Sequence, residues 1–79
     1  MAYDYSKLNG RIVEVFGTRG NFAEAMNMSE RSLSLKLNNL TSWKQPEITK
    51  ACESLNLKES DIKDYFFTLK VQQSWTNNQ

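Results

Sequence analysis

The chain has 79 residues, a length that fits one small domain and leaves no room for a second. Its composition, 39% hydrophobic and 24% charged, lies near the globular average and excludes a disordered, charge-rich chain. Because it has no histidine and one cysteine, Cys/His zinc fingers, Cys–His catalytic pairs and internal disulfide frameworks are excluded. A formal charge of +1 predicts neither tight binding to a polyanion nor an acidic partner.

The sequence also indicates a compartment. No apolar run exceeds a few residues, and the first residues carry neither a basic start nor an apolar stretch for secretion or membrane spanning. The lone thiol of Cys52 suits a reducing environment. We therefore expect a cytoplasmic protein that does not enter a membrane.

Apolar residues at helical spacing predict the first two helices. The first covers residues 6–16 and ends at Gly17, a residue suited to a left-handed cap. Its apolar stripe consists of Leu8, Ile12, Val15 and Phe16. Thr18 offers a hydroxyl that caps a second, short helix over residues 19–26.

A third helix is predicted over residues 29–38, after a sharp turn. Asn27 tolerates the positive φ that such a turn demands, and Ser29 caps the helix that follows. Leu33 and Leu37 form its buried stripe. Leu35 lies about 200° around the helix from Leu33, so it is expected to project away from the core.

The second half of the chain is predicted to be helical up to its last part. The predicted elements are a fourth helix over 44–55, a fifth over 59–66, an extended arm over 67–72, and a mobile polar tail over 73–79. The fourth helix begins either from a capping box of Ser42 and Gln45 or nearer Pro46 as a first-turn proline. Residues 1–72 would make up the folded domain.

No group of side chains forms a catalytic constellation. Asp61 and Asp64 share a helical face but are typical of a solvated surface, and Cys52 lies on an apolar stripe where a thiol is usually inert. The glycines do not form a phosphate-binding loop. We therefore expect no enzyme activity, no metal, no cofactor and no small-molecule substrate.

The most informative segment runs from Thr18 to Leu37. Ala23 is small enough to let the third helix approach the second closely, as a sharp helix-to-helix turn requires. The outer face of the third helix would then present Ser29, Glu30, Arg31, Ser34, Leu35 and Lys36. Side chains of this kind reach base edges and phosphates in a major groove.

Residues 6–66 resemble the lambda-repressor-like, Xre-type helix-turn-helix domain. The segments Phe22-Ala23-Glu24-Ala25-Met26 and Ser29-Glu30-Arg31-Ser32-Leu33-Ser34-Leu35-Lys36-Leu37-Asn38-Asn39 are similar to those of small regulators in Gram-positive prophages. The resemblance implies an all-α, five-helix fold with a short C-terminal arm or strand. Two positions depart from the family pattern: Asn27 stands where glycine is usual, and Gly20 stands where a better helix former is common.

The resemblance also implies a role for each surface residue. Thr18 and Ser29 would be phosphate-facing caps, Arg31 a guanine reader, Ser34 an adaptable contact, Leu35 a thymine-methyl contact, and Lys36, Asn38, Asn39 and Lys44 DNA-backbone contacts. Glu30 is the exception, since phosphates repel a carboxylate unless it accepts a hydrogen bond from a cytosine amine.

Two functions in phage lysogeny follow from this resemblance. The chain is similar to the modulators of repression of lactococcal temperate phages, which implies an antirepressor that binds the phage repressor. Because Leu35 is an apolar residue expected to be exposed between the polar Arg31 and Ser34, it would be the centre of such a protein interface. The alternative is a Cro-like repressor that binds operator DNA as a homodimer. A prophage antitoxin of the same fold is a third interpretation. The arm with Phe67, Leu69 and Val71 would pair with a second copy or partner, or fold back on its own domain.

Overall fold

The computed structural model describes residues 2–70. Within them the chain forms α1 (Ser6–Phe16), α2 (Arg19–Ala25), α3 (Glu30–Leu37), α4 (Gln45–Ser54), a 3₁₀ turn (Glu59–Asp61) and α5 (Ile62–Phe66). The predicted all-α, five-helix architecture is confirmed. The predicted tail over 73–79 and the end of the predicted arm lie outside the described residues. No helix in residues 2–70 is long and apolar enough to cross a membrane.

The helix ends follow the capping residues. The predicted range 29–38 is longer than α3 at both ends because it includes the caps Ser29 and Asn38. The Ser29 Oγ accepts a hydrogen bond from the Ser32 amide at 3.0 Å, and the Thr18 hydroxyl accepts one from the Asn21 amide at 3.1 Å. Each hydroxyl satisfies an amide that would otherwise have no partner in the first turn.

The turn between α2 and α3 has the positive φ at Asn27 that its sequence predicts. Asn27 adopts a positive φ of 60°, a conformation that asparagine tolerates better than most residues. The Met28 amide donates to the Ala23 carbonyl at 3.0 Å, and Ala23 is buried. This short connection leaves one side of α3 facing away from the core.

One apolar core joins all five helices. Its fully buried large side chains are Phe22, Phe66, Leu8, Ile12, Leu33 and Leu55. The Trp43 ring packs against the core, 5.2 Å from the Phe66 ring centroid in an edge-to-face arrangement. The prediction that Val15 is buried was wrong: it is 43% exposed, because it lies at the edge of the α1 stripe.

Of the two starts considered for α4, the one near Pro46 is found. Lys44 is the N-cap residue, and Pro46 lies in the first turn, where proline's missing amide costs no hydrogen bond. The Glu47 carboxylate accepts a hydrogen bond from the Lys44 amide at 2.8 Å. This bond replaces the predicted pairing of Ser42 with Gln45.

The C-terminal arm folds back on its own domain as far as the structure describes it. Leu69 pairs with Tyr3 in an antiparallel bridge. The Asp4 amide donates to the Thr68 carbonyl at 2.6 Å, and the Lys70 amide donates to the Ala2 carbonyl at 3.0 Å. The N-terminal segment therefore supplies the strand partner that the sequence pattern alone left unidentified.

Candidate partner-binding surface

The outer face of α3 is accessible along its first half. Ser29, Glu30 and Arg31 are exposed, and Ser34 is half-buried. The Asn38 amide group donates to the Ser34 carbonyl at 2.9 Å and lies 3.3 Å from the Ser34 hydroxyl. The helix thus presents a row of polar and charged groups that is fixed at both ends by its caps.

Leu35 is less accessible than its position in the helix suggested. The side chain is half-buried rather than exposed, so its predicted place as a freely projecting interface centre needs correction. The chain after α3 turns back against this part of the helix, since the amides of Leu40 and Thr41 both donate to the Leu35 carbonyl, at 2.8 and 3.3 Å. Only part of the Leu35 side chain is available to a partner.

Lys36 does not lie on the outer face of α3, where the sequence pattern predicted it. It is 8% exposed. Its ammonium Nζ lies 3.1 Å from Glu47 Oε1 and donates to the Ser42 carbonyl at 3.2 Å. Positions 33, 36 and 37 recur at helical spacing, so helix geometry places Lys36 beside the buried leucine stripe. The Lys36 side chain therefore connects α3 to the start of α4 through these two contacts.

The environment of Glu47 favours its charged form. Partial burial would by itself raise the pKa of this carboxyl. The hydrogen bond from the Lys44 amide and the contact with the Lys36 ammonium outweigh that effect and lower the pKa below its ordinary value. The Lys36–Glu47 pair is therefore an ion pair at neutral pH.

Asn39, a predicted DNA-backbone contact, is hydrogen-bonded to the N-terminal segment. Its side-chain Oδ1 accepts from the Tyr3 amide and its Nδ2 donates to the Tyr3 carbonyl, both at 2.9 Å. Its backbone has a positive φ of 65°. Both polar ends of the side chain are thus occupied by the N-terminal strand. Lys44, in contrast, is exposed and remains a candidate contact.

An open groove of about 460 Å³ runs between α1, α2 and α3. It is lined by Val13, Arg19, Glu30, Arg31 and Ser34, and we call it the α1–α3 groove. Among residues 2–70 the salt bridges are Arg11–Glu14 and Lys36–Glu47, so neither arginine of the groove is engaged in one there. The groove therefore brings together two guanidinium groups without a salt bridge, the Glu30 carboxylate and the exposed side of Val13.

Two residues of the groove were missed by the sequence reasoning. Val13 is 52% exposed, and Arg19 is exposed at the start of α2. Val13 lies about 140° from Leu8 around α1, well off the buried stripe. The sequence does show that Val13 is an apolar residue outside the buried stripe, which could have marked it as a binding residue. Its position next to α3 depends on the packing of α1 against α2, which the sequence pattern does not specify.

Gly20 makes room for the Glu30 side chain. A Cβ atom at position 20 would lie 3.3 Å from both Cδ and Oε2 of Glu30, closer than ordinary van der Waals contact. Gly20 stands where the family commonly has a better helix former, and it faces the Glu30 carboxylate of the α1–α3 groove.

The arm carries exposed apolar side chains. Phe67 and Leu69 are 46% and 50% exposed, and Leu40 of the neighbouring loop is 69% exposed. The Phe67 ring packs edge-on against Tyr3 at a centroid distance of 5.7 Å. Val71 lies outside the described residues. The function of this arm as a dimer or partner contact stays a prediction.

Within residues 2–70, no group of three or more histidine, cysteine or acidic side chains is placed to hold a metal ion. The only cysteine, Cys52, is buried. Burial, with smaller contributions from the negative charges of Asp61 and Glu53, raises the pKa of its thiol, which disfavours the reactive thiolate.

The sequence matches a described protein family over nearly its whole length. The model of the family "Protein of unknown function (DUF739)" matches residues 1–69, and the chain belongs to that family. Among solved structures, the chain is similar to the modulator of repression (MOR) of the temperate bacteriophage TP901-1 from Lactococcus lactis, determined in solution. The two sequences are 54% identical, the match covers 91% of this chain and 97% of the other, and the TM-score is 0.76. No curated protein matches the chain.

Proposed function

We propose that the protein regulates the lysis/lysogeny switch of a temperate phage as a modulator of repression. It acts as an antirepressor that associates with the phage repressor through the outer face of α3. The α2–α3 pair is, in this proposal, a helix-turn-helix unit of the Xre type. The observation that carries the proposal is the 54% identity to the modulator of repression of TP901-1 over 91% of the chain.

The charges near α3 favour a protein partner over DNA. Lys36 is held by Glu47, so the exposed cations on and beside this helix are Arg19, Arg31 and Lys44. Affinity for DNA rises with the number of phosphates that cations neutralise. Because this surface has only three exposed cations and also carries the Glu30 carboxylate, a monomer should have little affinity for a DNA duplex.

The shape of the same face is compatible with a protein interface. Arg31 and Asn38 lie at helical spacing from Leu35 and are exposed, and interface centres are commonly apolar positions within a polar rim. If the partner surface is the DNA-reading helix of the repressor, binding masks it from the operator. One contact then explains both association with the repressor and loss of repression.

A gel-shift titration with labelled operator DNA tests this function. The protein is added to the DNA alone and to the DNA saturated with the repressor of the same phage, each at two salt concentrations. We expect no shift of the DNA by the protein alone, and a change in the repressor's shift when the protein is added. The Arg31→Glu variant should lose this effect. Lys50→Glu makes an equal change of charge at an exposed position of α4 and should retain it.

The opposite result identifies the alternative function. If the protein alone shifts the operator, with a steep salt dependence that Arg31→Ala abolishes, it is a Cro-like DNA-binding repressor. In that case sedimentation should show a homodimer on the DNA, because phage operators are usually read by dimers. The antirepressor proposal would then be abandoned.

A further inference from the structure

We infer that the α1–α3 groove receives a segment of the phage repressor that carries a carboxylate beside an aliphatic side chain. The inference rests on the proposed function and deepens it, because it extends the contact surface beyond α3 onto α1 and α2. Val13 and Arg19 become partner-binding residues alongside Arg31.

The two arginines determine the charge of the occupant. Arg19 and Arg31 line the same groove and are both exposed, and neither forms a salt bridge within residues 2–70. A guanidinium group binds a carboxylate through two parallel hydrogen bonds. The groove therefore offers its strongest polar contact to an acidic side chain of the partner.

Val13 determines the apolar part of the occupant. Half of this side chain is exposed although it lines the groove next to the two arginines. An aliphatic side chain laid against it removes apolar surface from water and lowers the effective dielectric around the guanidinium groups. A phosphate group has no apolar surface to place against this side chain.

Glu30 selects against a phosphate chain. Its carboxylate lines the same groove and lies in the space that Gly20 leaves. Successive phosphates all carry negative charge, so a DNA strand that meets the arginines also meets this carboxylate. A protein segment avoids the conflict by placing a hydroxyl, amide or ammonium donor opposite Glu30.

The inference is tested with purified repressor in the absence of DNA. Isothermal titration calorimetry compares wild-type protein with two groove variants, Arg19→Glu and Val13→Ser. We expect Arg19→Glu to weaken repressor binding about tenfold or more and Val13→Ser to weaken it about five- to tenfold.

Each variant has a matched control on the same protein. Val15 is on α1 and is exposed to a similar degree, but it does not line the groove, so Val15→Ser should bind within about twofold of wild type. Lys50→Glu makes the same change of charge sign as Arg19→Glu and should bind equally well at moderate salt. Circular dichroism and thermal unfolding of all four variants verify that the fold is intact.

Three results overturn the inference in distinguishable ways. If Arg31→Glu weakens repressor binding but Arg19→Glu and Val13→Ser do not, the groove is not occupied and the proposed function stands. If wild-type protein does not bind the repressor at all, the proposed function fails and the groove inference fails with it. If the gel shift described above shows that the wild-type protein alone binds the operator, and Arg19→Glu loses this binding while its repressor binding is unchanged, the groove binds nucleic acid and the inference is also overturned.

Discussion

The Lys36 ammonium lies 3.1 Å from Glu47 Oε1, and the pair connects the last turn of α3 to the first turn of α4. The same carboxylate oxygen accepts the Lys44 amide at 2.8 Å, so Glu47 caps its own helix while it holds the preceding one. This contact removes from the outer face a cation that the residue pattern had assigned to it. It also fixes the orientation of α3 relative to the rest of the domain.

The Lys36–Glu47 contact should stabilise the fold. Lys36→Met keeps most of the buried side-chain volume but leaves Glu47 without its ammonium partner and the Ser42 carbonyl without a donor. We expect the free energy of unfolding in urea to fall by about 1–2 kcal/mol. Lys50→Met, at an exposed position of α4, is the control and should change it by less than about 0.5 kcal/mol. Equal stability of the two variants would contradict the structural role of Lys36.

Stability should also depend on pH through Glu47. Because the pKa of this carboxyl is lowered in the folded state, the folded protein binds the proton less readily than the unfolded chain. The stabilisation is complete above the unfolded pKa and is lost as pH falls through the folded pKa. Urea unfolding from about pH 6 to about pH 3 should show a smaller loss for Glu47→Gln than for wild type. Parallel curves for the two proteins would contradict this assignment.

Asn39 should hold the N-terminal strand in place. Asn39→Gly preserves the left-handed backbone but removes both side-chain bonds to Tyr3, which should cost about 1–2 kcal/mol of unfolding free energy. Asn39→Ala should cost about 1 kcal/mol more, because alanine is strained at a φ of 65°. The control is Asn56→Gly: Asn56 has a φ of 58°, and we expect a change within about 0.5 kcal/mol. Faster hydrogen exchange at the Asp4 and Lys70 amides in Asn39→Gly alone would locate the effect.

Gly20→Ala should separate stability from partner binding. Alanine in the α2 helix should raise the unfolding free energy by about 0.5–1 kcal/mol, since the atom it meets is the mobile end of Glu30. The displaced carboxylate should weaken repressor binding. Gly10→Ala, on α1 with nothing within 4 Å of the added Cβ, should give a similar gain in stability and unchanged binding. If both variants bind alike, Glu30 takes no part in the interface.

Local rules predicted most of the helical framework. Gly17, Asn27 and the hydroxyls of Thr18 and Ser29 have conformations or hydrogen bonds that depend only on their near neighbours, so their effect can be deduced from the sequence. The stripe of Leu33 and Leu37 likewise predicted which side of α3 is buried. The resemblance to small prophage regulators predicted a relative of the kind found, the TP901-1 modulator.

Contacts between residues far apart in the chain could not be predicted from local patterns. Asn39 meets Tyr3 across 36 positions, and the pairing of Leu69 with Tyr3 spans the whole domain; no local pattern specifies either contact. Lys36 is a different case, because its spacing from Leu33 placed it at the core boundary. Its charge suggested that the side chain is exposed to solvent, and its burial becomes favourable only because Glu47 on the next helix pairs with it.

We propose that the protein binds the phage repressor with the outer face of α3 and the α1–α3 groove. The most direct measurement is a set of ¹H–¹⁵N correlation spectra of the labelled protein, recorded as unlabelled repressor is added. We predict that the amide signals of Val13, Arg19, Glu30, Arg31 and Ser34 shift or broaden, while those of the 3₁₀ turn and α5 stay in place. Perturbations confined to α4 and α5, or unchanged spectra at saturating repressor, would contradict the claim.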